Sequence, residues 1–270
     1  MLGVPALGGT PFGLTARPDI AHALAAGGCV APDAEADALL AAAGEGAGSI
    51  DALVERRLRG EPLAWITGWV RFCDLRIRVD PGVFVPRPHT QSLARRALDL
   101  LPDAGIAVDL CTGSGAVAAA LFSRRPQALV LGTDIDPAAV ACARRNGVRA
   151  LVGDLDEPLP AWIRGRVDLV TAVVPYVPTE ELGLLPRDVL EHEPRRALDG
   201  GPRGTAMLVR TVRAAARWLG PGGGVLLELG GDQAVELASV VVDAGLRDIR
   251  VHRDDDGDVR GIEARLPEAP

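Results

Sequence analysis

The chain contains no lysine; all 29 of its basic residues are arginine. A Schiff-base nucleophile and a lysine general base are therefore excluded. Asparagine occurs once, at Asn146. Cysteine is scarce: Cys29, Cys73, Cys111 and Cys142 form no C-x-x-C pair and no Cys/His cluster of zinc spacing, so no metal site is expected. The thiols read as reduced, as in a cytoplasmic protein. No uninterrupted apolar run reaches the roughly 18 residues of a membrane span. The first residues lack the basic segment and apolar run of a secretory signal. Positive charge is also short: the net charge is −7. Non-specific nucleic-acid binding, which needs a basic face, is not expected. A basic protein partner or a cationic small substrate stays open.

What is abundant sets the frame. Hydrophobic residues form 48% of 270, enough for a real core and against global disorder. The richness in Ala, Gly and Arg is that of a very GC-rich genome. The length suits one large domain with a small appendage. Residues 1–16 are Gly/Pro-rich and read as a frayed or tag-like lead. From 18 to 60, Ala and Leu recur at helical spacing. Pro18-Asp19 opens one helix and Gly27-Gly28 closes it; Asp33 caps a second and Ser49 a third, which ends at Gly60. Residues 1–60 are thus assigned to a helical domain. Residues 61–90 read as a β-hairpin linker, with R-F-C-D-L-R-I-R-V alternating, D-P-G turning and V-F-V-P returning. Residues 91–270 alternate strands with helices, which implies an α/β domain with a doubly wound parallel sheet. Its last segment reads as an antiparallel hairpin. The Asp-rich tip at 254–258 is a solvated turn, since it lacks the glutamate of an EF-hand.

A ligand site is written at the strand ends. D-L-C-T-G-S-G (109–115) joins a strand to a helix, where Gly113 and Gly115 permit a tight turn and close approach of a ligand. Free N–H groups at the next helix start add to it. Asp134 closes the next strand, suited to both hydroxyls of a ribose. Asp154 closes the third strand, within reach of an adenine amino group. Asp109 suits a cationic ligand end. Cys111, Thr112, Ile135 and Leu155 complete the expected cofactor site. The dinucleotide pattern is broken, because Ala118 stands at its last glycine, and Cys111 replaces a leading glycine ahead of it. One adenosine with a compact cationic tail fits better than NAD, which points to S-adenosylmethionine.

These segments resemble the HemK/PrmC family of protein-(glutamine-N5) methyltransferases over about residues 50–266. The resemblance rests on E-P-L-A-W-I-T-G (61–68), Phe72, V-P-R-P (85–88), D-L-C-T-G-S-G-A (109–116), D-I-D-P-A-A-V (134–140), A-R-R-N (143–146) and E-P-R-R-A-L-D-G-G (193–201). It implies a class I methyltransferase fold, Rossmann-like, with S-adenosylmethionine as donor. In the family an N-P-P-Y motif ends the fourth strand. Its Asn oxygen and a backbone carbonyl accept the two protons of a glutamine amide and aim a poor nucleophile at the methyl group.

Here that motif reads V-V-P-Y. Val173 replaces the Asn and accepts no hydrogen bond. The carbonyl of Val174, Pro175 and the Tyr176 ring, which can wall the acceptor pocket, remain as catalytic candidates. His89 joins them as a substrate contact or base; it and Gln91 stand where the family is usually acidic. Arg87, Val173, Glu193 and Pro194 are expected on the substrate side. Asn146 lies at the end of another helix and is not expected to replace the missing amide. His22 and His252 read as incidental. The expected activity is methyl transfer, by a monomer, to a small-molecule or protein acceptor other than the family's glutamine. Glutamine methylation of a release factor is the first alternative. S-adenosylmethionine binding without methyl transfer is the second.

Overall fold

The computed structural model describes residues 16–268, so the Gly/Pro-rich lead at 1–15 lies outside the described residues. The chain divides into two compact units, one ending at Gly68 and the other beginning at Trp69.

The first unit holds α1 (Arg17–Ala26), α2 (Pro32–Gly44), α3 (Ile50–Leu58) and the short α4 (Leu63–Thr67). Ser49 caps α3, its hydroxyl accepting from the Ala52 N–H. Asp33 does not cap α2. The helix starts at Pro32, whose fixed φ suits a first helical position, and Asp33 lies in the first turn bonded to Arg17 at 2.9 Å. Ile20, Leu24, Leu39, Leu53 and Ile66 bury one apolar face together. The largely buried Arg57–Glu35 pair, 2.6 Å apart, ties α3 to α2.

The second unit opens with the hairpin β1 (Trp69–Phe72) and β2 (Leu75–Arg78). Its turn is at Cys73-Asp74, not at Asp80-Pro81-Gly82. Phe72 and Ile77 both bury in the same core, and pairing Phe72 with Leu75 leaves two residues for the turn. Both turn residues take positive φ, 46° and 65°, at about 1 kcal/mol each for side chains that resist that region. The Gln91 side-chain oxygen accepts from the Cys73 N–H at 3.0 Å and holds the turn.

There follow α5 (Thr90–Leu100), β3 (Ile106–Leu110), α6 (Ala116–Arg124), β4 (Leu129–Asp134), α7 (Pro137–Arg145), β5 (Arg149–Val152), β6 (Val167–Ala172), α8 (Arg187–His192), α9 (Ala206–Trp218), β7 (Leu219–Glu228), α10 (Gln233–Asp243), β8 (Arg247–Arg253) and β9 (Val259–Arg265). Seven strands form one sheet in the order β5-β4-β3-β6-β7-β9-β8. The first five run parallel, and β9 and β8 add the antiparallel edge. This is the doubly wound α/β sheet with a terminal hairpin expected from the sequence. Its central strands are apolar on both sides because helices cover both. Leu169 and Leu226 enter the core shared with α5 and α6, whereas Val170 and Leu227 enter the core shared with α9 and α10. From β3 the order steps outward to β4 and β5, then returns to β6 on the other side of β3. Such a reversal opens a ligand crevice at the carboxyl ends of the strands. No helix among the described residues is long and apolar enough to cross a membrane.

Candidate functional site

The glycine loop leaves β3 through residues that the chain itself fixes. The Thr112 N–H donates to the Thr133 carbonyl at 2.9 Å, and its hydroxyl donates to Asp109 at 2.6 Å. The Gly113 N–H donates to the Asp134 carboxylate at 2.9 Å. Cys111, Gly113 and Gly115 take φ of 55°, 57° and 81°. At Gly115 a Cβ would meet Val148 at 2.9 Å, so loop and α7 region pack only around a bare Cα. Cys111 adopts the same region with a side chain, a strained position that a glycine would relieve. Burial and the carboxylates around it push its thiol far up, so it stays neutral. Asn146 supports the loop from below: its oxygen accepts from the Arg78 N–H at 2.9 Å, and its nitrogen donates to the carbonyls of Arg78 and Ser114 at 2.9 and 2.8 Å.

Above the loop lies a cavity of about 590 Å³. Cys111, Gly113, Asp134, Ile135, Asp154, Leu155, Val173, Pro175 and Pro194 all line it. Asp134 keeps its carboxylate in place by accepting also from the Asp136 N–H at 2.9 Å. Burial raises its pKa, and the two backbone donors oppose that rise. Asp154 lies two residues past β5 and accepts from Arg210 of α9 at 2.8 Å through one oxygen. Ile135 stays 61% exposed although large and apolar, because its side chain forms cavity wall.

A smaller annex of about 40 Å³ adjoins the loop and is lined by Asp109, Thr112, Thr90, Ser114 and Val173 among others. Asp109 is 2% exposed. Its oxygens accept from the hydroxyls of Thr112 and Thr171 at 2.6 and 2.7 Å. Burial lifts its pKa to about 6 against those hydrogen bonds. The buried hydroxyls of Thr90 and Ser114 have no partner within the protein. Cavity and annex together thus fit S-adenosylmethionine. A fixed carboxylate can meet a diol, a second can meet an amino-purine, apolar walls can hold the base, and unsatisfied hydroxyls can meet a polar tail.

The acceptor side is arranged differently from the expectation. Val173 and Pro175 line the cavity, but Val174 is buried in the core at 2% exposure. The Tyr176 ring does not wall the cavity. It packs toward the core, and its hydroxyl donates to Glu228 at 3.0 Å. Burial and the adjacent Glu228 push that phenol well above its usual range. The Tyr176 carbonyl accepts from Gln233 at 2.7 Å. Gly204 runs so close beneath it that a Cβ would overlap that carbonyl, which gives a physical reason for glycine there. Arg87 and Glu193 do not line the cavity either. They pair at 2.8 Å, and Glu193 also accepts from the Val85 N–H at 3.1 Å. Arg87 lies over the Phe84 ring, 4.5 Å from its centroid, and so sets Phe84 and Pro194 into the wall. Burial raises the Glu193 pKa, with Arg87 opposing. His89 is also outside the cavity lining; its Nε2 is 3.2 Å from Glu228.

Several wall residues went unread in the sequence: Phe84, Arg196, Met207 and Arg210 line the cavity, and Arg196 reaches across to Asp136. Glu228, buried and outside the cavity lining, also went unread. It ends the apolar run V-L-L-E of β7, the same signal that marked Asp109 in β3.

A family model described as a methyltransferase domain matches residues 107–190. A release factor glutamine methyltransferase of Geobacter sulfurreducens is 38% identical over 220 residues, 79% of this chain and 76% of that protein. A 4-amino-L-phenylalanine/4-methylamino-L-phenylalanine methyltransferase of Streptomyces pristinaespiralis is 41% identical over 198 residues, 69% of this chain and 66% of that protein. Among solved structures, a methyltransferase from Pyrococcus furiosus shares the fold, with a TM-score of 0.53 and 18% identity over 72% of this chain and 89% of that one.

Proposed function

The chain belongs to the HemK/PrmC family of release factor glutamine methyltransferases and is an S-adenosylmethionine-dependent methyltransferase; on that footing we propose that its acceptor is the amino group of a small aromatic molecule. The observation that carries this reading is Val173, a side chain without a hydrogen-bond acceptor at the cavity wall. An amide nitrogen has its lone pair delocalised into the carbonyl and needs two acceptors to hold and polarise it. An amine keeps more of its lone pair and needs alignment and a dry wall instead. Phe84, Pro175, Pro194 and Met207 offer that wall. The Streptomyces relative, named for an arylamine substrate, supports the same direction.

In this reading Asp134 takes the ribose hydroxyls. Ile135 and Leu155 flank the adenine, and Asp154 accepts from its amino group. Asp109, Thr90 and Ser114 meet the amino-acid tail. S-adenosylmethionine supplies an electrophilic methyl group on a sulfonium. The chain's own task is to exclude water, hold the acceptor nitrogen in line and take away its proton.

A second reading is favoured by the Geobacter relative's name: methylation of a release factor glutamine. Radiolabelled S-adenosylmethionine, offered with 4-amino-L-phenylalanine or with a protein carrying a Gly-Gly-Gln loop, separates the two. Label is expected in the amine at a rate at least about 100-fold above that in the protein, the scale of one catalytic interaction. Robust label in the glutamine would reverse the assignment. Label in neither, with the donor bound, would favour a binding protein.

A further inference from the structure

We infer that Glu228 is the acceptor-side carboxylate, taking the N–H that Val173 leaves without a partner; this rests on the amine reading above. Glu228 is 2% exposed at the carboxyl end of β7. Its Oε1 accepts from Tyr176 at 3.0 Å and lies 3.2 Å from His89 Nε2. Its Oε2 is buried without any partner. A buried carboxylate oxygen left unpaired is costly to the fold, which makes a ligand group its natural partner.

The strand register sets where that oxygen lies. Ala172 of β6 pairs with Leu227 of β7, so Val173 and Glu228 follow as the next residues on neighbouring parallel strands. Neighbouring strands run about 5 Å apart. Leu226 and Val173 both belong to the core on the α5 side, and side chains alternate along a strand, so Glu228 projects to the face that Val173 shares. His89, at the start of α5, closes on it from that side. Glu228 is not in the lining of the cavity or the annex; the register sets its carboxylate one strand away from Val173, where the family's Asn would have offered its oxygen from the same strand.

The proton balance follows. The nitrogen lone pair forms the new N–C bond as the S–C bond breaks, and the positive charge passes from sulfur to nitrogen. The nitrogen then gives its proton to Glu228 Oε2. His89, 31% exposed in its side chain and hydrogen-bonded to the same carboxylate, offers the way out to solvent. Tyr176 fixes the carboxylate by its hydroxyl and acts as a positioning residue.

The test uses the full chain with 4-amino-L-phenylalanine as probe. In Glu228→Gln, kcat is expected to fall about 100-fold or more, the lower range for loss of a general base. Calorimetric binding of the amine to the S-adenosylhomocysteine complex is expected to weaken about tenfold, with donor affinity nearly unchanged. Tyr176→Phe, a smaller change that guards against misfolding of the first variant, is expected to lower kcat about tenfold with the same donor affinity. A folded Glu228→Gln protein with wild-type kcat and amine affinity would overturn the role of Glu228 while leaving the amine reading intact. If Glu228→Gln does not fold, wild-type kcat in Tyr176→Phe overturns it. A wild-type enzyme that neither binds nor methylates the amine removes the reading itself, and this inference with it.

Discussion

The ends of β3 and β4 and the segment after β6 line one cavity, whereas Glu228 at the end of β7 is buried and lies outside its lining. On the donor half, the glycine loop is fixed by Asp109, three residues before Thr112, and by Asp134, 21 residues after Gly113, while Thr171 reaches Asp109 from 62 residues away. On the acceptor half, Glu228 meets Tyr176 from 52 residues away and His89 from 139. The glycine loop reads as one contiguous motif, whereas the bonds of Glu228 join segments that no single motif links.

The comparison is sharpened most by Val173→Asn. This variant is expected to gain glutamine methylation in a Gly-Gly-Gln protein from a background near zero, with donor affinity within about twofold of wild type by calorimetry. Glutamine methylation equal in wild type and variant would mean the two halves had not diverged.

The next effect belongs to the floor of the donor half. Asp109 has a pKa of about 6 in the folded chain, against an ordinary 3.8, because burial disfavours its charge. The folded state then binds its proton more tightly than the unfolded state, so stability falls as pH rises from about 4 to about 6 and is level above. The shift corresponds to about 3 kcal/mol. Urea unfolding of wild type and Asp109→Asn at pH 4 and pH 7 isolates it: the gap between them should move against the wild type by that order at the higher pH. An unchanged gap would mean that the hydroxyls of Thr112 and Thr171 fully offset burial.

A smaller effect is expected at Asp134. Replacing it by Ala should weaken S-adenosylmethionine by roughly 1–3 kcal/mol, the scale of lost charge-assisted hydrogen bonds, while leaving KM for the acceptor alone. Titration calorimetry with unchanged donor affinity would remove Asp134 from the cofactor site. A shift in acceptor KM of the same size would show that the halves are not separable.

The same contrast explains what was legible beforehand. Strand–glycine loop–helix and the carboxylates at 109, 134 and 154 are read by period and spacing, and the sheet followed from them. The hairpin turn was misplaced because D-P-G is a strong local turn signal. The actual turn at Cys73-Asp74 is dictated by the burial of both Phe72 and Ile77 and by Gln91. Asp33 was misread as a cap because Pro32 sets the helix start. Tyr176 read as a pocket wall because its partner, Glu228, is near it only in space. Arg87 and Glu193 were expected on the substrate side, but their side chains face each other and shape the wall through Phe84.

Asn146 joins three segments through one side-chain amide, and Gly147 follows it. A glycine neighbour offers the least shielding against attack by its own backbone nitrogen on that amide, the route by which asparagine ages to aspartate. The product would turn oxygen toward the carbonyls of Arg78 and Ser114, where a donor now stands. The three hydrogen bonds that now fix both ends of this amide hold it against that rearrangement.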